Sequence, residues 1–114
     1  MRYLCLVYQD EAEVGALSRR EYETLMDDSR ARDEARRRSG RYLSWAALQP
    51  VRTATTLRME NGRVTTTDGP FAETREQLGG FVLIEARDLD QAIRLASRIP
   101  PLRAGCIEVR PVRP

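Results

Sequence analysis

Histidine and lysine are both absent from this chain of 114 residues, so its 19 basic residues are all arginine. Histidine is the only side chain whose unperturbed pKa lies near neutrality. A proton-transfer catalyst would therefore have to be water, a Tyr, a Cys or a carboxyl group with a strongly shifted pKa. Raising the pKa of an Asp from about 3.9 to about 7 takes an environment worth about 4 kcal/mol. The composition does not favour general acid–base catalysis.

A strong net charge of either sign is also missing, since the chain carries only +2. That value is too small to indicate direct nucleic-acid binding. The one basic cluster, residues 30–41, has Asp33 and Glu34 between its arginines. Such mixed charge is typical of a solvated helix face.

Long apolar runs are absent as well, because the longest, residues 3–8, is far below the roughly 20 residues that cross a bilayer. The first residues also lack the basic, apolar and small-residue order of a signal peptide. We therefore expect a cytoplasmic protein with no membrane contact, whose two cysteines are free thiols. The length predicts one domain, residues 1–114, around a single core.

Two segments are apolar at nearly every position, residues 3–8 and 81–86, and they predict central strands covered on both faces. Residues 42–48 and 106–110 predict two further strands. The dipeptide Asn61-Gly62 joins the segments 53–59 and 63–67 and is typical of a hairpin turn between β-branched residues.

A helix is predicted over residues 19–39, because Ser18 and Glu21 form a capping-box pattern and Gly40 is a natural left-handed end. Its first half offers three side chains to a core: Tyr22, Leu25 and Met26. Its second half places three charged residues where the apolar stripe should continue: Arg32, Asp33 and Arg36. That half is either thinly buried or faces a polar cavity.

Asp88 is expected to cap a second helix that ends before Pro100-Pro101. Four residues form its predicted apolar face: Leu89, Ala92, Ile93 and Ala96.

The order of these elements predicts an α+β fold of the ferredoxin-like βαββαβ type with an extra hairpin, in which two helices cover one face of an antiparallel sheet. Two helices leave the second face uncovered, although both central strands are apolar on that face too. We therefore expect a homodimer in which a second copy covers it and the two sheets enclose a cavity. The first and last strands are neighbours in this fold, which makes Cys5 and Cys106 candidate neighbours, and small buried apolar groups are favoured over a redox pair.

The segment DGPFAETREQLGGF, residues 68–81, combines turn residues and acids just before the second central strand. In one interpretation its glycines and proline only direct the backbone, and Asp68 caps the following turn. In the other, Asp68 is a carboxyl group at the mouth of a cavity that acts on a ligand or a proton. Glu73 and Glu76 have no third ligand nearby, so neither a metal nor another cofactor is expected.

The same segment resembles the signature of the YCII-related family, in its DGPF branch. The resemblance covers almost the whole chain, including residues 1–4, 53–56 and 108–111. It implies a ferredoxin-like protomer in a dimeric α+β barrel. Many members are encoded beside extracytoplasmic-function sigma factors, which implies a functional link to such a pathway. The biochemical role of the branch is unassigned.

Candidate catalytic residues follow from this resemblance with one departure. Some relatives pair a His with an Asp in a proposed catalytic dyad, and no His is present here. Asp68 matches the leading Asp of the motif and inherits a candidate catalytic role. Tyr8 and Asp10, at the end of the first strand, are its candidate partners.

Four further residues are candidate ligand contacts: Phe71, Trp45, Gly80 and Arg103. The two aromatic side chains are suited to line a barrel interior. Gly80 would allow a ligand or a second backbone to approach closely, and Arg103 would bind an anion. For each of them, packing or a plain surface position is the alternative.

Three functions remain open from the sequence. The first is a homodimeric barrel that binds a small organic ligand, linked to a sigma-factor pathway. The second is a small isomerase, lyase or dehalogenase that uses Asp68 in the barrel cavity. The third is a purely structural or interaction dimer. The first is favoured because no complete catalytic set can be assembled from the residues present.

Overall fold

A computed structural model describes residues 1–99 and 105–114 of the chain. The elements, in chain order, are β1 (Arg2–Gln9), α1 (Glu11–Gly15), α2 (Arg19–Ser39), β2 (Tyr42–Ala47), β3 (Thr55–Glu60), β4 (Arg63–Asp68), β5 (Gln77–Glu85), α3 (Leu89–Ala96) and β6 (Gly105–Pro111). A single turn of 3-10 helix, Val51–Thr53, precedes β3. Arg103 lies outside the described residues.

The main sheet has four antiparallel strands in the order β2-β5-β1-β6. The two central strands are the two segments that are apolar on both faces. With the hairpin left aside, this order and the two long helices confirm the predicted ferredoxin-like α+β fold. The register pairs Cys5 with Val109 and Cys106 with Tyr8. Side chains alternate between faces along a strand, so the two cysteines lie on opposite faces and are not brought together.

The core lies on one face of the sheet, where ten hydrophobic residues are buried: Tyr3, Cys5, Tyr42, Val82, Ile84, Ala86, Ala92, Leu95, Ala96 and Ile99. The hydroxyl of Tyr42 donates a hydrogen bond of 2.9 Å to the carbonyl oxygen of Leu95. This bond ties the edge strand β2 to α3. The helix α3 therefore supplies most of the cover of the sheet.

The apolar face of α3 differs from the predicted one. Leu89 and Ile93 are exposed, whereas Leu95 is buried beside Ala92 and Ala96. The two alanines have short side chains and let the helix backbone approach the sheet closely. The helix therefore turns this narrow side inward and leaves its larger flanking residues outside.

Helix α2 begins and ends as predicted. Ser18 accepts a hydrogen bond from the backbone N–H of Glu21, whose side chain accepts one from Ser18, and Gly40 ends the helix at φ 72°. No residue of α2 is fully buried. Tyr22 is exposed, while Leu25 and Met26 are half-buried. The helix therefore lies over the sheet without closing onto it.

The hairpin β3–β4 forms a sheet of its own. Its two-residue turn places Asn61 at φ 50° and Gly62 at φ 76°, as the Asn-Gly signal predicts. The radius of gyration is 16.1 Å, against about 13 Å for a compact chain of this length. The hairpin is therefore an arm that projects from the protomer. Among the described residues, no helix is both long and apolar enough to cross a membrane.

Candidate functional site

A cavity of about 230 Å³ lies between α2 and the sheet. Its apolar wall comes from both elements and includes Leu25, Met26, Val82 and Ile99. Its polar wall comes mainly from the second half of α2, where Ser29, Arg32, Asp33 and Arg36 face inward. Residues three or four apart share one side of a helix, so this spacing places all four side chains along the same wall. The charged residues that interrupt the apolar stripe of α2 therefore line a cavity, as one of the two alternatives for this half of the helix predicted.

Arg36 is the most buried charged side chain of that wall, with 13% of its surface exposed. It forms an ion pair with Asp33, which is 32% exposed. Its Nε atom, however, is buried and has no hydrogen-bond partner among the described residues. An unpaired buried donor costs about 1–3 kcal/mol, and buried polar groups are nearly always satisfied. Arg36 is therefore a cation with one donor left over at the edge of the cavity.

Trp45, on β2, forms the floor beneath this cation. The Cζ atom of Arg36 lies 5.5 Å from the centre of the Trp45 ring, and that of Arg37 lies 5.8 Å from it. Guanidinium groups at this distance are attracted by the electron-rich ring face. Trp45 thus holds the end of α2 against the edge of the sheet and lines the cavity at the same time.

Gly79 and Gly80 line the same cavity from β5. A Cβ atom at position 80 would lie 2.7 Å from the backbone oxygen of Ala46. A Cβ atom at position 79 would meet only the side chain of Gln9, also at 2.7 Å. Gly80 therefore permits the close approach of a second backbone, β2, which is the structural alternative considered for it above.

Of the residues predicted from sequence, Trp45 and Gly80 line the cavity, whereas the other described candidates do not. Asp10 caps α1, because its side chain accepts hydrogen bonds from the backbone N–H groups of Ala12 and Glu13. Tyr8 lies on the opposite face of the sheet, paired with Cys106. Asp68 and Tyr8 are therefore not brought together in this cavity.

Asp68 ends β4 and is exposed, and its side chain has no hydrogen-bond or ion-pair partner among the described residues. The next rung of the hairpin is a backbone bond, since Gly69, at φ 98°, donates to the carbonyl oxygen of Ala54 over 2.7 Å. Phe71 is 78% exposed. Both side chains lie on the outside of the protomer, near the base of the arm.

Four cavity residues were not chosen as site residues from the sequence: Ser29, Arg32, Asp33 and Arg36. The available signal was the charge that interrupts the apolar stripe of α2. A charged residue on the inner side of a helix needs either solvent or a partner. Here the cavity supplies the space, and Trp45 and the Asp33–Arg36 pair supply the partners.

The chemistry of the cavity is that of a binding site. It offers a half-buried cation, an aromatic face and an apolar wall, which suit a small organic molecule with a hydrogen-bond acceptor at one end. Among the described residues, no group of three His, Cys, Asp or Glu side chains is placed to hold a metal ion.

Comparison with known proteins supports the resemblance noted above. The sequence model described as the YCII-related domain matches residues 1–114. An uncharacterized protein of Rhizobium meliloti strain 1021 is 40% identical over 114 residues, which cover 98% of this chain and 92% of that protein.

Proposed function

Because the chain belongs to the YCII-related family, we propose that it is a homodimeric small-ligand-binding protein whose ligand occupies the cavity between α2 and the sheet. The ligand is organic, partly apolar, and carries an acceptor such as a carboxylate or carbonyl oxygen. The single observation that carries this proposal is the half-buried guanidinium of Arg36, whose buried Nε donor has no partner among the described residues and lies beside an aromatic floor.

The pairing of Arg36 with the carboxylate of Asp33 favours ligand binding over catalysis. Among the described residues, Asp33 supplies the only carboxylate that lines the cavity, and it is already held in an ion pair with Arg36. The described part of the lining thus contains one ion pair and no further carboxyl group. The catalytic role of Asp68 and the link to a sigma-factor pathway stay predictions.

A second copy of the chain is proposed because two apolar surfaces lack a partner. One is the open face of the sheet, where the register pairs Leu4 with Leu83 and Leu6 with Phe81, all half-buried. Neither α2 nor α3 lies on this face. An apolar sheet face of this kind marks an interaction surface.

The other surface is one side of the arm. Three large apolar residues are more than half exposed and, by strand alternation and register, share that side: Leu57, Met59 and Val64. The opposite side carries Arg58, Glu60 and Arg63. A free two-stranded hairpin is marginally stable in water, so an amphipathic arm needs a surface to cover. Asp68 is on the apolar side at its base, where a second copy would lie.

The cavity proposal is tested with a panel of small probes: benzoate, benzamide and cyclohexanecarboxylate. Trp45 is the only Trp of the chain, so its fluorescence reports directly on the cavity. We expect a saturable change with at least one probe, and a crystal soaked with that probe is expected to show it against Arg36.

Arg36→Gln is expected to weaken binding by about tenfold, which is the loss of roughly 1.4 kcal/mol. Arg38→Gln is the matched control, because Arg38 is also ion-paired on α2 but is 74% exposed and outside the cavity. The proposal fails if no probe changes the fluorescence, if the probe binds elsewhere in the crystal, or if both variants lose the same affinity.

A further inference from the structure

A second concave surface, on the helix side of the protomer, is lined by three arginines: Arg41, Arg94 and Arg98. It encloses about 230 Å³ and shares no lining residue with the cavity under α2. Arg41 directly follows the left-handed end of α2. Arg94 lies in the last turn of α3, and Arg98 follows the C-cap residue Ser97, so the end of this helix brings both arginines to the same concave surface.

None of these three arginines has a neutralising partner in the described part of the chain. Their guanidinium nitrogens have no carboxylate oxygen within 4.0 Å. Asp90, one turn before Arg94, is on the same helix but forms no such pair. Three cations that share a concave surface repel one another, and a surface recess concentrates their field.

The ends of two helices offset part of this charge. The last carbonyl groups of α2 and α3 lie close by, and each helix end carries about half a negative charge. Two ends amount to about one negative charge against three cations, which leaves about two positive charges. If the arginines served only to neutralise the two helix ends, about one positive charge would be enough, and a third arginine would not be needed.

We propose that this surface, the three-arginine pocket, binds a phosphate group. A phosphate monoester carries about −1.5 to −2 charges at neutral pH and presents three acceptor oxygens, which matches the residual charge of the pocket. Arginine forks bind such oxygens in pairs and remain charged at all physiological pH values.

The uncharged side chains of the pocket are compatible with a ligand that accepts hydrogen bonds. The side-chain oxygen of Gln91 already accepts a hydrogen bond of 2.9 Å from the backbone N–H of Arg87. Its NH₂ group is therefore the part that remains to donate. The hydroxyl of Ser39 is occupied by the backbone at Arg36 and Arg41, so it orders the pocket rather than contacting the ligand.

The site is compatible with the proposed dimer but does not depend on it. It lies on the helix side, whereas a second copy would cover the open face of the sheet.

Calorimetric titration with inorganic phosphate, at constant ionic strength in chloride, tests the proposal. We expect saturable binding that Arg94→Gln and Arg98→Gln each weaken by about tenfold or more. Arg20→Gln removes an exposed arginine that is likewise unpaired and lies outside the pocket, and is expected to bind within about twofold of the original chain. Arg36→Gln is also expected to retain phosphate binding, which separates this site from the α2 cavity.

Adenosine monophosphate, titrated in parallel, distinguishes the two sources of the group. Equal affinities would identify a site for the free anion, and tighter binding of the nucleotide by about tenfold would identify a phosphate ester. As a second readout, phosphate is expected to raise the melting temperature of the original chain and not of Arg94→Gln. The absence of saturable binding for both ligands, or equal affinity of the Arg94 and Arg98 variants and the original chain, would overturn the proposal.

Discussion

The guanidinium of Arg36 lies over the indole of Trp45, with Cζ 5.5 Å from the ring centre. This contact joins the end of α2 to the edge strand β2, two elements that otherwise pack loosely. The same guanidinium is paired with Asp33, so one side chain serves both an ionic and an aromatic contact. The cavity wall is therefore organised around Arg36.

The Asp33–Arg36 pair is expected to be energetically coupled. Both side chains are less than one-third exposed, so solvent screens their attraction only in part. A double-mutant cycle with Asp33→Asn and Arg36→Gln should give a coupling free energy of about 1 kcal/mol by urea unfolding. The exposed pair Glu34–Arg38 on the same helix is the control, and should give less than about 0.5 kcal/mol. Equal coupling for the two pairs would contradict this description of the cavity wall.

The two glycines of the motif are expected to differ in their tolerance of a methyl group. Gly80→Ala would push against the backbone oxygen of Ala46, which cannot move without shifting β2. We expect it to lower the free energy of unfolding by about 1–3 kcal/mol. Gly79→Ala meets only the flexible end of Gln9 and should cost less than about 1 kcal/mol. Thermal or urea unfolding of both variants measures these losses. A larger loss for Gly79→Ala than for Gly80→Ala would refute the prediction.

The apolar side of the arm is expected to control dimerisation. The double variant Leu57→Lys with Met59→Lys places two charges in the proposed interface and should yield a monomer in sedimentation experiments at micromolar concentration. Arg58→Gln with Glu60→Gln changes the opposite side of the same strand and should remain dimeric. A monomeric original chain would remove the basis of the dimer proposal.

Cys5 is expected to make stability fall at high pH. Burial raises the pKa of its thiol from 9.0 to about 11. The unfolded thiol loses its proton first, so between these values the unfolded state binds fewer protons and stability decreases as pH rises. The loss amounts to about 2–3 kcal/mol across the window. Urea unfolding at pH 8.5 to 11 should show a smaller slope for Cys5→Ala than for the original chain, and parallel slopes would contradict the assignment.

Thiol reactivity is expected to separate the two cysteines. Cys106 is exposed, whereas Cys5 is buried. Desolvation, the hydrogen bond to Glu76 and the nearby carboxylates raise the pKa of Cys106, so its alkylation should accelerate as pH rises. Because Cys106 lies on the sheet face that the proposed dimer covers, the test uses the monomeric Leu57→Lys/Met59→Lys variant, in which mass spectrometry after iodoacetamide treatment should show one label on the folded chain and two after unfolding. Labelling of Cys5 in the native state would contradict its burial.

Local signals in the sequence predicted the elements well. The capping box of Ser18 and Glu21, the end at Gly40 and the turn at Asn61-Gly62 each involve neighbours in the chain, and each is present in the structure. The strand order followed as well, because two central strands with apolar residues on both faces admit few arrangements.

The location of the site could not be predicted in the same way. Asp68 was chosen for its motif, but the distance from Asp68 to a cavity depends on where the whole arm β3–β4 goes. The direction of the arm is set by tertiary contacts, which leave no local pattern in the sequence. The inward charges of α2 were visible in the sequence, yet only the contacts of Arg36 and Trp45 show that these charges line a cavity beneath a helix with no fully buried residue.

Helix α2 supplies the polar wall of the cavity although none of its residues is fully buried. The buried hydrophobic residues come from the sheet, from α3 and from Ile99, while the ligand contacts that we propose come from positions 29, 32, 33 and 36 of α2. Under that proposal, substitutions along one side of α2 would change ligand selectivity and leave the buried core unaltered.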